Sequence, residues 1–292
     1  HPLYEMAWSG PVPRVRATPP GGRAAGRPGP SRSPYACTVF VAAGDAAHAP
    51  LVGRNFDWDR NPALVLTTDP PGGLATVSVV DISYLGVDAG AAKDLVDNPG
   101  RRRVLLDAPR LPFDGMNAAG VVVAMAADDT ARAEVRDDRP TVGSVGVMRQ
   151  VLESGRTVAE AVAALRRVNI DFDGGPPLHY LVADATGASA VVEFVDGTTR
   201  VLPATDRWQV MVNFTLATST PAVREGDWRY RTASDALRRA GGAMTSADAM
   251  TLLDRVHQGA TQWSVVYEPR TGTARIATGR HFDRVHVVRV PR

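Results

Sequence analysis

Residues 33–45 read SPYACTVFVAAGD. Inside this stretch a segment rich in Pro, Gly and Arg gives way, at Cys37, to CTVFVAA, which is apolar almost throughout. A short apolar run rich in β-branched and aromatic residues and closed by a Gly-Asp turn is a strand buried on both faces. It is the first of many downstream. APLVGRNF, ALVLTT and LATVSVVDISYL follow as short strands split by DWDRNP and DPPGG turns, and GMNAAGVVVAMAA adds another behind a turn. The texture then becomes helical in SVGVMRQVLESG, with Gly155 placed as a C-terminal stop, and Thr157 to Glu160 fit a capping box that opens AEAVAALRRV. Strands return in LHYLVADA and ASAVVEFV around an Asp-Ala-Thr-Gly hairpin, then in DRWQVMVNF. Two further helices follow, YRTASDALRRAG and one capped at Thr245 or Ser246 with Asp248 in its first turn; QWSVVYEP, GTARIAT and DRVHVVRV close the chain as strands.

Strands, helices, strands, helices, strands, joined by hairpin-length turns, predict an α+β fold. Two antiparallel sheets stacked face to face and flanked by helices would make a four-layer αββα sandwich. The chain of 292 residues, 44% of them apolar, is long enough for a large core. Residues 10–34 are too rich in Pro, Gly and Arg to pack an element of their own. The chain therefore divides into a leader, 1–36, and a single folded domain, 37–292.

The overall charge of +2 splits unevenly: Arg14, Arg16, Arg23, Arg27 and Arg32 against Glu5 leave the leader at +4 and the remainder at about −2. No basic stripe with interleaved aromatics stands out, which speaks against nucleic-acid binding. The RRR at 101–103 reads as a solvated surface turn after Asn98-Pro99-Gly100. No stretch of eighteen apolar residues marks a membrane-spanning helix. HPLYEMAWSG lacks the basic and apolar regions of a secretory signal, though an upstream one could have been removed, so localisation is open between cytoplasm and export, with the cytoplasm favoured. Scattered Asp residues show no metal-ligand spacing, and no cofactor is called for.

Cys37 is the only cysteine. A lone cysteine is commonly a small buried hydrophobe. Its place on the boundary suggests a nucleophile instead. Cutting the chain between Ala36 and Cys37 would create an α-amino group on the same residue, with a reference pKa of about 7.7–8.0, able to take the thiol proton. That matters because none of His48, His179, His257, His281 and His286 sits in a recognisable triad motif. Arg54 and Asp57 in GRNFDWD are three apart and would face opposite sides of a strand, so a turn or bulge at Asn55–Phe56 is expected to bring them to one site.

Cys-Thr opening a strand, followed by Gly-Arg-Asn-aromatic-Asp-Trp, resembles the choloylglycine hydrolase superfamily of N-terminal nucleophile (Ntn) hydrolases. That superfamily includes conjugated bile acid hydrolase, penicillin V acylase and N-acylethanolamine acid amidase. The resemblance continues in order through FDGMNAAGVVVAMAA, LHYLVADATGASAVVEF, WQVMVNF and DWRYRTASDAL. It implies the Ntn-hydrolase fold and a role for each matching residue. Cys37 would be the nucleophile, Arg54 would lie beside the thiolate, and Asp57 would hold the α-amine. Asn213 would stabilise the oxyanion, and a further site arginine falls at Arg229 or Arg231, with Arg229 preferred. The bile acid branch carries a second oxyanion asparagine after the strand matching VVVAMAA, where this chain has Ala126-Ala127-Asp128. Either a backbone N–H replaces it or the chain belongs nearer the acid amidase branch.

The expected reaction is hydrolysis of a small-molecule linear N-acyl amide through a Cys37 thioester, after self-cleavage at Ala36–Cys37. The same acyl-enzyme could instead make amides as an acyltransferase, and a non-catalytic binding protein on this fold is the third reading. Phe113, Met116, Tyr84, Met125 and Trp263 are candidates for an apolar acyl pocket. Richness in Ala, Arg, Gly and Val fits a GC-rich bacterial genome. Assembly into a homo-oligomer is left open.

Overall fold

The computed structural model describes residues 3–13, 37–59, 61–172 and 177–291. The Ala36–Cys37 bond and most of the leader expectation thus lie outside the described residues. In chain order the strands are β1 (Leu3–Trp8), β2 (Thr38–Ala42), β3 (Leu51–Asp57), β4 (Ala63–Thr68), β5 (Thr76–Asp81), β6 (Asp114–Asn117), β7 (Val122–Ala127) and β8 (Thr141–Gly143). They continue with β9 (Asn169–Asp171), β10 (Leu178–Ala183), β11 (Ser189–Val195), β12 (Thr198–Pro203), β13 (Trp208–Met211), β14 (Thr261–Glu268), β15 (Thr273–Thr278) and β16 (His286–Arg289). The α-helices are α1 (Ala89–Asp97), α2 (Gly146–Ser154), α3 (Val158–Arg166), α4 (Pro221–Gly226), α5 (Trp228–Arg239) and α6 (Ser246–Arg255). Among the described residues no helix is long and apolar enough to cross a membrane.

Eight strands form one sheet in the order β1-β4-β5-β6-β7-β10-β11-β12, and six form a second in the order β13-β2-β3-β14-β15-β16. Helices α2 and α3 lie against the larger sheet; α5 and α6 cover the smaller one. The α+β sandwich expected from the strand and helix pattern is therefore the observed fold. Strand β2 shows why its sequence carries no polar alternation. Val39 and Val41 point into the cluster between the sheets, while Phe40 and Ala42 point into a second cluster beneath α5 and α6. Both faces are dry, so both need apolar side chains.

Helices α1 and α4 and the short pair β8 and β9 had no counterpart in the sequence reading, and further features depart from it. Within the leader, Leu3–Trp8 forms a strand that pairs parallel with β4, so the larger sheet is mixed. The segment around Arg101–Arg103 is a 3₁₀ helix, Pro99–Arg110, rather than a simple turn; Arg101 stays exposed in it. Strand β12 was not legible because its residues TTRVLP sit on an edge and are mostly half-exposed, which removes the apolar run.

Candidate active site

Cys37 immediately precedes β2 and is buried, 3% exposed. Strand β2 pairs with β3 so that Thr38 faces Asn55. One more step of that register puts Cys37 across from Phe56, with its backbone nitrogen on the Asp57 side. Directly opposed residues share a face. Cys37 therefore points between the sheets with Phe56 and, two positions on, Arg54.

The expected bulge at Asn55–Phe56 does not exist. Strand β3 runs unbroken, and the irregularity lies in the neighbouring β14, where Gln262 is the extra residue between Thr261 and Trp263. Arg54 and Asp57 do face opposite sides: Arg54 stacks over Phe56 at 4.8 Å between the sheets, while Asp57 meets Gln258 and Thr261 at the end of α6. Both reach Cys37 because it stands at the strand end. The Arg54 Nη2 lies 3.9 Å from Sγ, and the Asp57 backbone N–H is directed at the sulfur.

Burial dominates the electrostatics. It pushes the Cys37 thiol above its ordinary value; Arg54 pulls it down and Asp57 pushes it up, and burial prevails. Burial likewise raises the Asp57 carboxyl to about 6, against the hydrogen bonds from Thr261 and Gln258 and the charges of Arg229 and Arg54.

The two remaining polar candidates come from the far end of the sequence. Asn213 follows β13, the other neighbour of β2, and its Nδ2 donates to the Ala127 carbonyl at 2.8 Å. An amide nitrogen carries two hydrogens, so one remains for another acceptor. Arg229, 6% exposed in the first turn of α5, donates from Nη1 to the Cys37 carbonyl at 2.9 Å and to Asn213 Oδ1 at 3.1 Å. Arg231 instead points outward, to the Glu225 carbonyl. The arginine gathered with Cys37 is Arg229. Its helix begins at Asp227, whose carboxylate caps the Arg229 and Tyr230 N–H groups and pairs with the Arg229 guanidinium at 2.8 Å.

Of the apolar candidates, Tyr84, Phe113 and Met125 line a slot beside Cys37 with Phe56, Trp58 and Leu178. The slot holds only about 10 Å³, the room of one water, so its walls must part to admit an acyl group. Met116 is wholly buried in the core away from this slot. Trp263 stacks on Phe56 with ring centres 4.0 Å apart and supports the wall without lining it. On the other side of Asn213 opens a cleft of about 360 Å³, bordered by Asp128, Asp129, Thr130, Thr215, Thr218 and Ser219. A roomier cleft of about 840 Å³ between β13, α4 and α5 touches none of the Cys37 group.

Sequence reading missed the residues that hold the site in place. Asp114, fully buried at the start of β6, takes hydrogen bonds from Arg54, Tyr267 and Trp263. His179 and Glu193, both fully buried on the larger sheet, secure the loop that bears Asn213. His179 Nε2 meets the Val212 carbonyl at 2.6 Å, and Glu193 accepts from the Leu216 and Ala217 N–H groups. A charged residue inside an apolar strand pattern was the available signal: His179 stands in LHYLVA and Glu193 in SAVVEFV.

Two stacked sheets between layers of helix, with these groups gathered at one strand end, form the Ntn-hydrolase fold. The family model for linear amide C–N hydrolases, choloylglycine hydrolase family, matches residues 37–213, and the chain belongs to that family. It is thus a hydrolase of carbon–nitrogen bonds in linear amides, other than peptide bonds. No curated protein matches the chain. Among solved structures it is similar to penicillin V acylase from Agrobacterium tumefaciens, with TM-score 0.58 and 18% identity over 86% of this chain and 84% of that one. A mutant of conjugated bile acid hydrolase from Clostridium perfringens gives TM-score 0.58 and 16% identity over 87% and 92%. The Caenorhabditis elegans N-acylethanolamine-hydrolyzing acid amidase ortholog gives 0.56 and 18% over 87% and 100%.

Proposed function

We propose that this amide hydrolase works through Cys37 as an N-terminal nucleophile, exposed when the chain cleaves itself between Ala36 and Cys37. The observation that supports the reading is the gathering of Arg54, Asp57 and Arg229 around this residue at the head of β2, with Asn213 joined to it through Arg229. In self-cleavage the thiol attacks the Ala36 carbonyl, the acyl group passes from nitrogen to sulfur, and water releases a carboxylate at Ala36 and a free amine at Cys37. In turnover that amine takes the thiol proton. The thiolate attacks the substrate carbonyl, the C–N bond breaks, and the amine leaves with the proton. Water then hydrolyses the thioester and restores the thiol.

Each neighbour has a part. Arg54 stabilises negative charge on sulfur, and Asp57, on β3 across from the start of β2, would hold the new α-ammonium. The free N–H of Asn213, held by Arg229, serves the oxyanion. The slot between Tyr84, Phe113 and Met125 suits an apolar acyl group, and the cleft bordered by Asp128, Thr130 and Thr215 suits a polar leaving amine.

The test begins with intact mass. Wild type should lose 36 residues, the length of chain before Cys37, and Cys37→Ala should keep them. Incubated with N-acyl amides of graded chain length, the processed enzyme should trap an acyl group on Cys37 at low pH. In a chain begun at Cys37, Asn213→Ala should lower kcat on the order of 10²–10³ with little change in KM. Arg229→Ala should be impaired while Arg231→Ala keeps near-normal kcat. Equal trimming of Cys37→Ala and wild type would refute self-cleavage, and the absence of any acyl-Cys37 would refute the nucleophile.

A further inference from the structure

Arg54 is asked to serve two anions. Its Nη1 donates to Asp114 Oδ2 and, at 2.8 Å, to the Phe113 carbonyl; its Nη2 donates to the Met125 carbonyl at 3.0 Å and reaches Cys37 Sγ at 3.9 Å. Arg54 and Asp114 are both wholly buried. Asp114 is locked in turn by Trp263 Nε1 at 2.9 Å on Oδ2 and by the Tyr267 hydroxyl on Oδ1. The carboxylate therefore holds the guanidinium more closely than the sulfur does.

We propose that Asp114 is a positioning residue that sets the acidity of Cys37 by taking part of the charge of Arg54. One buried cation cannot fully compensate two anions. While Asp114 is ionised, a thiolate at Cys37 receives only what is left, and the thiol stays protonated until substrate or the α-amine draws the proton off. The consequence is that the thiolate forms only when a base takes the proton, and in the cleaved chain the α-amino group of Cys37 itself is that base. Among the described residues, the other charged or titratable groups facing Cys37 and Arg54 are Asp57 from β3, Tyr267 from β14 and Arg229 from α5, the last paired with Asp227 at the head of its helix. Of these Asp57 contacts the sulfur through its backbone N–H, Arg229 contacts the Cys37 carbonyl, and Tyr267 contacts Asp114.

The substitution Asp114→Asn separates charge from shape. The amide oxygen can accept from Arg54 and Trp263, and the amide nitrogen can donate to the Tyr267 oxygen, so the network survives without its negative charge. The measurement is the rate of iodoacetamide alkylation against pH on the protein as purified after self-cleavage, with intact mass reporting both the cut and the adduct. With a single cysteine, every adduct reports Cys37. Asp114→Asn should lower the apparent thiol pKa by about one unit or more, a tenfold rise in thiolate at pH values below both. Tyr267→Phe should move it the other way, because Asp114, with one donor fewer, binds Arg54 more tightly. A folded Asp114→Asn chain, judged by wild-type near-ultraviolet circular dichroism, whose pKa is unchanged or raised would overturn the proposal. Should that variant not fold, a Tyr267→Phe chain with an unchanged or lowered pKa overturns it equally. The meaning of the tuning rests on Cys37 as nucleophile, but alkylation needs no turnover. A chain inert towards amides would sink that reading and leave the titration to be judged separately.

Discussion

Asp57 is a carboxyl held against its own burial. Its carboxyl is buried and shifted from an ordinary value of 3.8 to about 6. The sign follows from linkage. Because the folded-state pKa lies above the unfolded one, the folded chain holds the proton more tightly between these values. Stability is therefore greatest below about pH 4 and falls as pH rises towards 6, by roughly 3 kcal/mol if the whole shift is expressed. In the uncut Cys37→Ala chain, Asp57→Asn should be more stable than its parent by about 1–3 kcal/mol at pH 7. The two should converge near pH 4. Urea midpoints at the two pH values measure this, and equal midpoints at pH 7 would mean that Asp57 is ionised without penalty. In a cleaved chain the new ammonium group would stand beside the carboxylate and relieve the tension. The family resemblance singled out Cys37, Arg54 and Asp57, which the structure brings together, although the spacing of Arg54 and Asp57 alone put them on opposite faces. Asp114 was not, because nothing local in FDGMN says that its carboxylate meets an arginine sixty residues earlier.

At the scale of the element, β2 and β3 show how closely the site is built against its support. Phe40 lies across from Gly53, and a Cβ on Gly53 would come within 2.3 Å of the Phe40 ring. The absence of a side chain at Gly53 is what lets the ring lie over β3, one residue from Arg54. Gly53→Ala should cost about 1–3 kcal/mol through overpacking and displace Arg54. Adding Phe40→Leu should recover part of the loss. Denaturant midpoints of the single and double variants test it, and an additive double variant would show that the ring is not the obstacle. The sequence marked both strands through their apolar runs, yet placed on β3 a bulge that the structure has on its neighbour β14. A three-residue spacing can be reconciled with one site by bending the strand or by placing the target at its end, and only the register distinguishes the two.

Across the whole molecule the segment at 3–8, well before Cys37, is built into the sandwich. Strand β1 pairs with β4 from Leu3–Ala63 to Trp8–Thr68. Tyr4, Met6 and Trp8 pack onto the cluster that includes Leu64, Leu66 and Val80, and Glu5 meets His286 of the other sheet at 3.3 Å. Backbone pairing and apolar contact of this kind do not depend on the covalent link to Cys37. A site-specific protease sequence inserted between Pro13 and Arg14 of the Cys37→Ala chain tests the point. After cutting, the N-terminal fragment should stay with the body in gel filtration under native conditions. The same fragment carrying Met6→Asp and Trp8→Asp should separate. Immediate release of the unaltered fragment would show that β1 is held only through the chain.

The sequence by itself determined the layered α+β class, the ends of most strands and helices, and the residues whose chemistry is local. Apolar period, turn residues and caps are properties of neighbours along the chain, and so is the placing of Cys37 on a compositional boundary. Tertiary structure alone decided that Arg229 rather than Arg231 meets Cys37, because that depends on which side of α5 faces β2. It also decided that the larger sheet recruits β1, that His179 and Glu193 secure the Asn213 loop, and that Asp114 claims part of Arg54. Each joins residues distant in sequence through buried hydrogen bonds, charge or backbone pairing. Such partners are chosen by what the folded core leaves dry and adjacent, which no local pattern encodes.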